Sequence, residues 1–246
     1  KALPIGGVSI VAISLVAVTG VTNPESTKDA LADALSGFSN DLIWLIGVAV
    51  MISISLKKTG LGARIGYFFI SLFGKKTLGI AYSLSFAETL LAPITPSNTA
   101  RGGGIIHPIM RSIANSFGSK PERGSTEKIG RYLALVNYNT NPITSAMFIT
   151  ATAPNPLIVS LVYEGTHPGE TLTWGMWAVA AIVPALVALV IMPLVIYLIY
   201  PPEIKKTPNA PIFAKEKMKE LGPISLSEKI TMGVFTILLL LWAGIP

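Results

Sequence analysis

Glu88 and Arg101 are the two charged side chains that fall inside long apolar stretches of this sequence, whereas the other charges fall in loops or at segment ends. A charge at the centre of a bilayer costs about 2.5–3.5 kcal/mol even on a lenient insertion scale, so neither side chain is expected to face lipid. Two interpretations stay open. Either the two residues form a structural ion pair, or Arg101 faces a cavity that accepts an anion, because a guanidinium suits bidentate recognition of carboxylates.

A polar, helix-breaking stretch lies between these two charges and continues beyond them. It reads "LLAPITPSNTARGGGIIHP" over residues 90–108, with three prolines and three consecutive glycines. The hydroxyl and amide groups of Ser97, Asn98 and Thr99 suit a hard cation, and the exposed N–H groups of a helix start suit a carboxylate. The alternative is an ordinary break in which Ser97 or Asn98 caps the following helix.

The remaining chemistry of the sequence is sparse. There is no cysteine and there are two histidines, His107 and His167, which disfavours a zinc site. His107 is interpreted as a packed neutral histidine rather than a pH-sensitive site. The glycine run lacks the lysine of a phosphate-binding loop, and no nucleophile–base pair stands out. We therefore predict no catalytic residue, no metal ligand set and no enzyme.

The composition indicates a polytopic, all-α membrane protein. Hydrophobic residues make up 51% of the 246 residues and charged residues 13%, against about 25% charged in soluble domains. Several apolar runs approach the ~20 residues that cross a bilayer. The net charge of +6 comes from basic residues in short loops, a pattern that indicates membrane orientation and not nucleic-acid binding.

Charge distribution predicts the topology of six candidate membrane segments, 3–21, 42–56, 78–110, 132–163, 172–200 and 230–244. Loops 57–77 and 111–131 are rich in lysine and arginine, so both are expected on the cytoplasmic side. They flank segment 78–110, which at 33 residues is too short for two helical crossings of about 20 residues each. The sequence therefore predicts a re-entrant hairpin with its tip near mid-membrane, where broken helices form transporter sites.

Three further segments are predicted to be irregular or interfacial. Segment 132–163 contains Pro142, Pro154 and Pro156, which predict a discontinuous helix beside the hairpin. Segments 63–74 and 211–221 are short and mixed with or flanked by lysines, so they are predicted to be interfacial helices on the cytoplasmic face.

Three stretches carry a family resemblance: "ETLLAPITPSNTARGGGIIHPI", "TATAPNPL" and "PPEIKKTP…LGPISLSEK". They resemble the divalent anion:sodium symporter family, most of all its 2-oxoglutarate/malate translocators and its citrate or tartrate:succinate exchangers. The resemblance implies two inverted repeats, each with a re-entrant hairpin that carries a Ser-Asn-Thr motif. It also implies a homodimer and an elevator movement of a transport domain against a scaffold.

The resemblance also implies roles for individual residues. Exchangers of this kind are expected to hold a basic residue where symporters bind sodium, and Arg101 is the matching candidate. Glu88 is its candidate partner in a structural ion pair. The implied substrate-binding residues are Ser97, Asn98, Thr99, Arg101, Thr152 and Asn155. Ser97, Asn98 and Ala151 form the candidate cation site, with sodium as the candidate coupling ion and no other cofactor.

The sequence departs from the family pattern because it contains a single Ser-Asn-Thr motif. We therefore expect it to be a piece of a longer protein, holding the first repeat and the start of the second. The predicted domains are scaffold helices with a cytoplasmic interfacial helix (1–77), the hairpin of the transport domain (78–118), a discontinuous helix with the following transmembrane helix (132–200), a cytoplasmic loop with an interfacial helix (201–229) and a truncated first helix of the second repeat (230–246).

The predicted function is secondary transport, namely sodium-independent exchange of di- and tricarboxylates such as 2-oxoglutarate, malate, succinate and citrate. A sodium-coupled dicarboxylate symporter is the alternative, followed by a non-transporting membrane subunit and a passive anion channel. The expected partners are the small carboxylate, membrane lipid and a second copy of the chain, without nucleic acid. The expected location is a bacterial inner or plasma membrane, or a plastid inner envelope.

Overall fold

The structure is a computed structural model that describes residues 4–167 and 169–244, with side chains at all of these except 42, 49, 52, 123 and 164. A few predicted positions therefore lie outside the described residues. These are residues 1–3 of the first domain, of which residue 3 begins the first segment, residue 168 of the domain 132–200, and residues 245–246 of the last domain.

The described residues are helical, with a single isolated antiparallel bridge between Lys76 and Lys206 in place of strands. This confirms the all-α prediction for the described part of the chain. The α-helices are α1 (Ile5–Thr19), α2 (Thr27–Leu35), α3 (Asp41–Thr59), α4 (Leu61–Phe73), α5 (Thr77–Leu91), α6 (His107–Ser116), α7 (Gly130–Met147), α8 (Pro154–Ile158), α9 (Glu164–Thr166), α10 (Trp174–Ile199), α11 (Ala210–Glu220) and α12 (Leu226–Trp242).

The chain divides into two compact units, Lys1–Val48 and Ala49–Pro246. In the first unit α1 packs against α2, and the Ala30 side chain of α2 is fully buried. The Ser26 hydroxyl caps α2 by accepting a hydrogen bond from the Asp29 backbone N–H at 3.3 Å. Helix α1 ends at Gly20, whose φ of +62° is a left-handed conformation that glycine adopts without strain.

In the second unit, two glycines on α4 let Ile105 and Ile109 pack closely against this helix. A Cβ added at Gly62 would lie 2.8 Å from Ile105 Cγ2, and one added at Gly66 would lie 2.5 Å from Ile109 Cδ1. Both isoleucines are buried in the main hydrophobic core. Glycines one helical turn apart allow the close helix approach that is common between membrane helices.

Two helical stretches are long and apolar enough to cross a membrane, judged over the described ranges. They differ in what surrounds them. Only 22% of the most apolar window of α10 is buried, whereas 67% of the stretch Thr77–Ile94 is buried. An apolar helix that stays exposed suits contact with lipid, and one that is covered belongs to the protein interior. The shorter apolar helices are α1 and α4.

Helices α5, α7 and α10 form the packed centre of the second unit. Helix α7 runs parallel to α5, because Ser85 Oγ lies 3.0 Å from Thr140 Oγ1 and, about one turn later on both helices, the Thr144 hydroxyl donates to Glu88 Oε1 at 3.3 Å. It runs antiparallel to α10. Tyr132 near the start of α7 donates to the Pro193 carbonyl at 3.1 Å, while Trp177 near the start of α10 donates to the Ala146 carbonyl at 2.9 Å.

One extended segment, residues 203–207, joins the starts of α5 and α7; we call it the connector. Its backbone bonds the residues before and at the start of α5, with Thr207 N donating to Lys75 O at 2.9 Å and Thr77 N donating to Lys205 O at 3.1 Å. It also bonds the residues just before α7, with N–H groups of the connector donating to the carbonyls of Glu127 at 3.1 Å and Lys128 at 3.0 Å.

Helix is interrupted in both stretches where prolines and small polar residues predict a break. After α5 the chain makes a 3₁₀ turn at Ala92–Ile94, leaves helical geometry, and resumes as a π-helix at Thr99–Ile106. After α7 it makes a second 3₁₀ turn at Ile149–Ala151 before α8 begins at Pro154. π-helical turns are rare and often occur at functional sites.

Candidate functional site

The two helix breaks contact each other directly. The Thr150 hydroxyl in the second break donates to the Pro93 carbonyl in the first at 2.5 Å, and it accepts a hydrogen bond from Trp174 Nε1 at 3.0 Å. Trp174 also stacks on Phe148, with ring centroids 5.6 Å apart. A backbone carbonyl of the first break therefore finds its hydrogen-bond donor in the second break, as buried irregular backbone requires.

We call the contact between the two breaks the junction. Arg101 lies next to it and is fully buried. Its Nη1 donates to the carbonyls of Thr95 and Ala151, both at 2.9 Å, so the guanidinium bonds one carbonyl from each break. Its Nη2 donates to the hydroxyls of Thr144 at 3.2 Å and Ser145 at 2.7 Å. Four of the five guanidinium N–H groups are therefore bound to oxygens of the protein.

The fifth group, Arg101 Nε, lies 3.5 Å from Oε1 of Glu88, which is also fully buried. The same carboxylate oxygen accepts hydrogen bonds from Asn141 Nδ2 at 2.6 Å and from the Thr144 hydroxyl at 3.3 Å. A buried ion pair is tolerated when hydrogen bonds replace the lost water. These bonds replace it at Oε1, whereas Glu88 Oε2 and Arg101 Nε are buried without a hydrogen-bond partner among the described residues. The structure thus brings together the two intramembrane charges across the break.

Asn141 joins the ion pair to the tip, by which we mean residues 95–99. Its Nδ2 donates to the Asn98 carbonyl at 3.0 Å as well as to Glu88. The approach requires Gly102, since a Cβ at that position would lie 2.6 Å from Asn141 Nδ2. The first glycine of the run is therefore explained by close packing against α7.

The polar side chains of the tip cap the helix that follows it. The Ser97 hydroxyl accepts from the Ala100 N–H at 3.2 Å, and Asn98 Oδ1 accepts from the Thr99 N–H at 2.8 Å. Such caps satisfy orphan N–H groups at a helix start. The capping alternative raised from the sequence therefore describes what these side chains do in this structure.

A cleft of about 500 Å³ opens at the tip, between the π-helix with α6 on one side and α7 on the other. Of the predicted substrate-binding residues, Asn98 and Thr99 line it. The complete lining is Asn98, Thr99, Gly102, Gly103, His107, Met110, Ala134, Asn137, Tyr138, Asn141 and Pro142.

The other predicted site residues surround the junction without lining the cleft. Ser97 and Arg101 lie at the tip and beneath it. Asn155 donates to the carbonyls of Ser145 at 2.8 Å and Phe148 at 3.0 Å, which caps the end of α7. Thr152 lies beside it in extended backbone. The substrate and cation contacts expected of these residues, and of Ala151, stay predictions.

The sequence argument missed several residues of the cleft. Ala134, Asn137, Tyr138, Asn141 and Pro142 follow the i, i+3, i+4, i+7, i+8 spacing of one helix face. That spacing on α7 is a readable signal, but the sequence argument used only Pro142 from this set, as a helix breaker. His107 was interpreted as a packed residue, yet it lines the cleft.

The helical fold, the exposed apolar face of α10 and the buried polar junction define an integral membrane protein with a polar site inside its transmembrane region. The sequence model of the family described as "Sodium:sulfate symporter transmembrane region" matches residues 1–244. The chain belongs to this family, the divalent anion:sodium symporters, as its resemblance indicates.

Three relatives illustrate the similarity. YflS of Bacillus subtilis, provisionally named a malate transporter, is 52% identical over 98% of this chain and 49% of its own length. Dicarboxylate transporter 1 of the chloroplast of Spinacia oleracea is 40% identical over 98% of this chain and 41% of its own length. The L-tartrate/succinate antiporter of Escherichia coli is 36% identical over 96% of this chain and 50% of its own length.

These relatives are named as transporters and not as enzymes, and they come from bacteria and a chloroplast. The chain spans about half the length of the curated relatives it matches.

Proposed function

We propose that the chain forms part of a secondary transporter that exchanges di- and tricarboxylates across a membrane without sodium, as a homodimer with an elevator movement. A carboxylate of the substrate binds at the tip, against Asn98, Thr99 and the N–H groups that begin the π-helix. The names of the relatives, which include malate, dicarboxylate and tartrate/succinate transport, support this substrate class.

The observation that carries the proposal is the position of Arg101. Its guanidinium bonds the Thr95 and Ala151 carbonyls, one from each helix break. In this position a permanent cation holds the two breaks together and places positive charge behind the tip. A coupling cation bound at the same carbonyls would supply the same interaction, so a fixed arginine favours exchange without sodium.

We further propose that residues 78–118 form a re-entrant hairpin within an inverted-repeat transporter. Both ends of this segment are bonded to residues that the connector joins. Thr77 at its start donates to the connector. Ser119 at its end accepts from Gly130 N at 2.9 Å, two residues after the Lys128 carbonyl that binds the connector. Two ends held at one base support a segment that enters and returns on the same side.

We propose a domain assignment on the same basis. Hairpin 78–118 and the discontinuous helix of 132–200 belong to the transport domain, since the ion-pair network joins them. Residues 1–77 supply scaffold helices, 201–229 a cytoplasmic loop with an interfacial helix, and 230–246 the beginning of the second repeat.

The experiment is counter-transport in liposomes that hold the full-length protein. Vesicles preloaded with malate and free of sodium should take up 2-oxoglutarate, whereas empty vesicles should not. Asn98→Ala, which changes a residue that lines the cleft, should lower uptake strongly. Ser116→Ala is the matched control, because its hydroxyl binds only its own helix, at the Ile113 carbonyl. Uptake that does not need internal malate would refute exchange.

Sodium-coupled symport is the second candidate, favoured by the family's description as sodium:sulfate symporters. Ser97, Asn98 and Ala151 are its candidate cation ligands. Uptake into empty vesicles that rises with external sodium would support symport. It would also contradict the proposal that the Arg101 guanidinium takes the place of a coupling cation. The same assay therefore separates the two modes of coupling.

A further inference from the structure

The connector places one lysine directly opposite another. Lys76, just before α5, and Lys206 form the isolated antiparallel bridge. The two backbone hydrogen bonds between the connector and this part of the chain, at 2.9 and 3.1 Å, lie on either side of the pair. The two lysines are therefore a non-hydrogen-bonded pair, the register in which opposite Cα atoms are only about 4.5 Å apart. Like charges directly opposite each other destabilise a β-pair, so this bridge is unfavourable unless an anion neutralises it.

The bridge pair belongs to a group of four exposed lysines that we call the lysine cluster: Lys75, Lys76, Lys205 and Lys206. None of the ion pairs formed by the described residues includes a member of this cluster. Residues 75–77 and 203–207 contain one acid, Glu203, which is exposed. The two segments therefore present four positive charges against one carboxylate, and the protein's own acids do not neutralise them.

Exposed apolar surface approaches the lysine cluster along both segments. Helix α10, whose exposure suits contact with lipid, ends a few residues before the connector, and its Leu198 and Ile199 side chains are 79% and 63% exposed. In the last turn of α4, just before the cluster, the Leu72 and Phe73 side chains are each 52% exposed. Lysines beside exposed apolar side chains are typical of the interface between a membrane and water.

We propose that the lysine cluster binds the phosphate headgroup of an anionic phospholipid, which neutralises the Lys76–Lys206 pair and ties the connector to the start of α5. The ammonium groups suit a phosphate as point charges. The acyl chains would lie against the exposed apolar ends of α4 and α10, which favours a lipid over a free anion. Both segments belong to loops predicted to be cytoplasmic, and the cytoplasmic leaflet carries anionic lipids.

The test is thermal unfolding of the full-length protein in detergent, titrated with dioleoylphosphatidylglycerol. Dioleoylphosphatidylcholine is the matched lipid, because it has the same acyl chains and no net charge. A ligand that binds the folded state raises the melting temperature with increasing concentration, which gives an apparent Kd. We expect phosphatidylglycerol to raise the melting temperature well above any effect of phosphatidylcholine.

The double variant Lys76→Gln/Lys206→Gln should raise the apparent Kd for phosphatidylglycerol about 30-fold, because each lysine at an anionic surface contributes roughly 5-fold. Without lipid, this variant should be at least as stable as wild type, since the like-charge repulsion is gone and the backbone bonds of the connector remain. Lys76→Arg/Lys206→Arg keeps both charges and should keep the affinity.

Lys215→Gln/Lys219→Gln is the matched control. It removes the same charge from exposed positions on α11, where Glu216 and Glu220 are interspersed with the lysines. We expect this variant to bind phosphatidylglycerol with an apparent Kd close to that of wild type.

Four results would overturn the inference. Equal effects of the two lipids would show that the headgroup charge does not matter. An equal loss of affinity in the α11 control would assign the effect to overall charge. Inorganic phosphate that stabilises the protein as well as phosphatidylglycerol does would indicate a site for a free anion. A Lys76→Gln/Lys206→Gln variant that is less stable than wild type without lipid would show that the lysines serve the fold itself.

Discussion

Replacing Arg101 by methionine should destabilise the protein more than any exposed arginine replacement does. Methionine has a similar length and no charge, so the change removes four hydrogen bonds and the counterion of Glu88 while largely keeping the volume. Both charged side chains are fully buried. Breaking a buried ion pair from one side costs about 3–5 kcal/mol, because the remaining charge is left uncompensated.

Thermal unfolding in detergent measures this effect, with Arg111→Met as the matched control. Arg111 is exposed and lies 3.8 Å from an equally exposed Glu122, a pair worth about 0–1 kcal/mol. At 2–4 °C per kcal/mol for a chain of this size, Arg101→Met should lower the melting temperature by roughly 6–20 °C. The double variant with Glu88→Gln should recover part of the loss, since no charge is then left unpaired.

The result that would refute this reasoning is an Arg101→Met variant no less stable than Arg111→Met. A double variant whose loss equals the sum of the two single losses would show that the pair does not interact.

Three further predictions concern other contacts. Gly102→Ala should cost about 1–3 kcal/mol by pushing Asn141 away from Glu88, whereas Gly104→Ala, with nothing near its added Cβ, should be tolerated in the same unfolding assay. Thr150→Val should cost about 1–3 kcal/mol because the Pro93 carbonyl and the Trp174 indole lose their shared partner; Thr166→Val is its exposed control, and equal losses would contradict the prediction. At the start of α12, the hydrogen bonds from Arg64 hold the pKa of the Glu228 carboxyl below its usual range. A depressed folded-state pKa stabilises the protein above the ordinary carboxyl pKa of about 4.3 and loses that effect as pH falls through the folded value. The stability gap between wild type and Glu228→Gln should therefore be full at pH 7 and close below pH 4, and a gap independent of pH would contradict this.

The sequence was sufficient to locate the elements because membrane segments carry strong signals. Apolar runs delimited α10 and α12, and Pro93 and Pro154 lie at the two breaks. Pro142, however, lies inside α7, as Pro184 and Pro193 lie inside α10, so a proline alone does not mark a break. The interfacial helix predicted at 211–221 corresponds to α11, Ala210–Glu220. Charges inside apolar runs identified Glu88 and Arg101 as special because an isolated charge there is costly.

The site was harder to predict, for a physical reason. Which face of a broken helix lines a cleft depends on its rotation after the break, and the π-helix at Thr99–Ile106 changes that rotation. Asn137 and His107 line the same cleft only through the packing of α6 against α7, which no local pattern encodes. The burial of Arg101 beneath the tip likewise depends on where the Thr95 and Ala151 carbonyls meet.

The connector has a consequence for biosynthesis. The Gly74 carbonyl accepts a hydrogen bond from the Thr207 hydroxyl, 133 residues later in the chain. At a translation rate of about 5–20 residues per second, these two groups leave the ribosome roughly 7–27 seconds apart. During that interval α5, α6 and α7 are already made but lack the connector that closes their common base. The common base of α5 and α7 therefore closes only when residues 203–207 arrive, and shortening the chain before residue 203 should leave that base open to proteases.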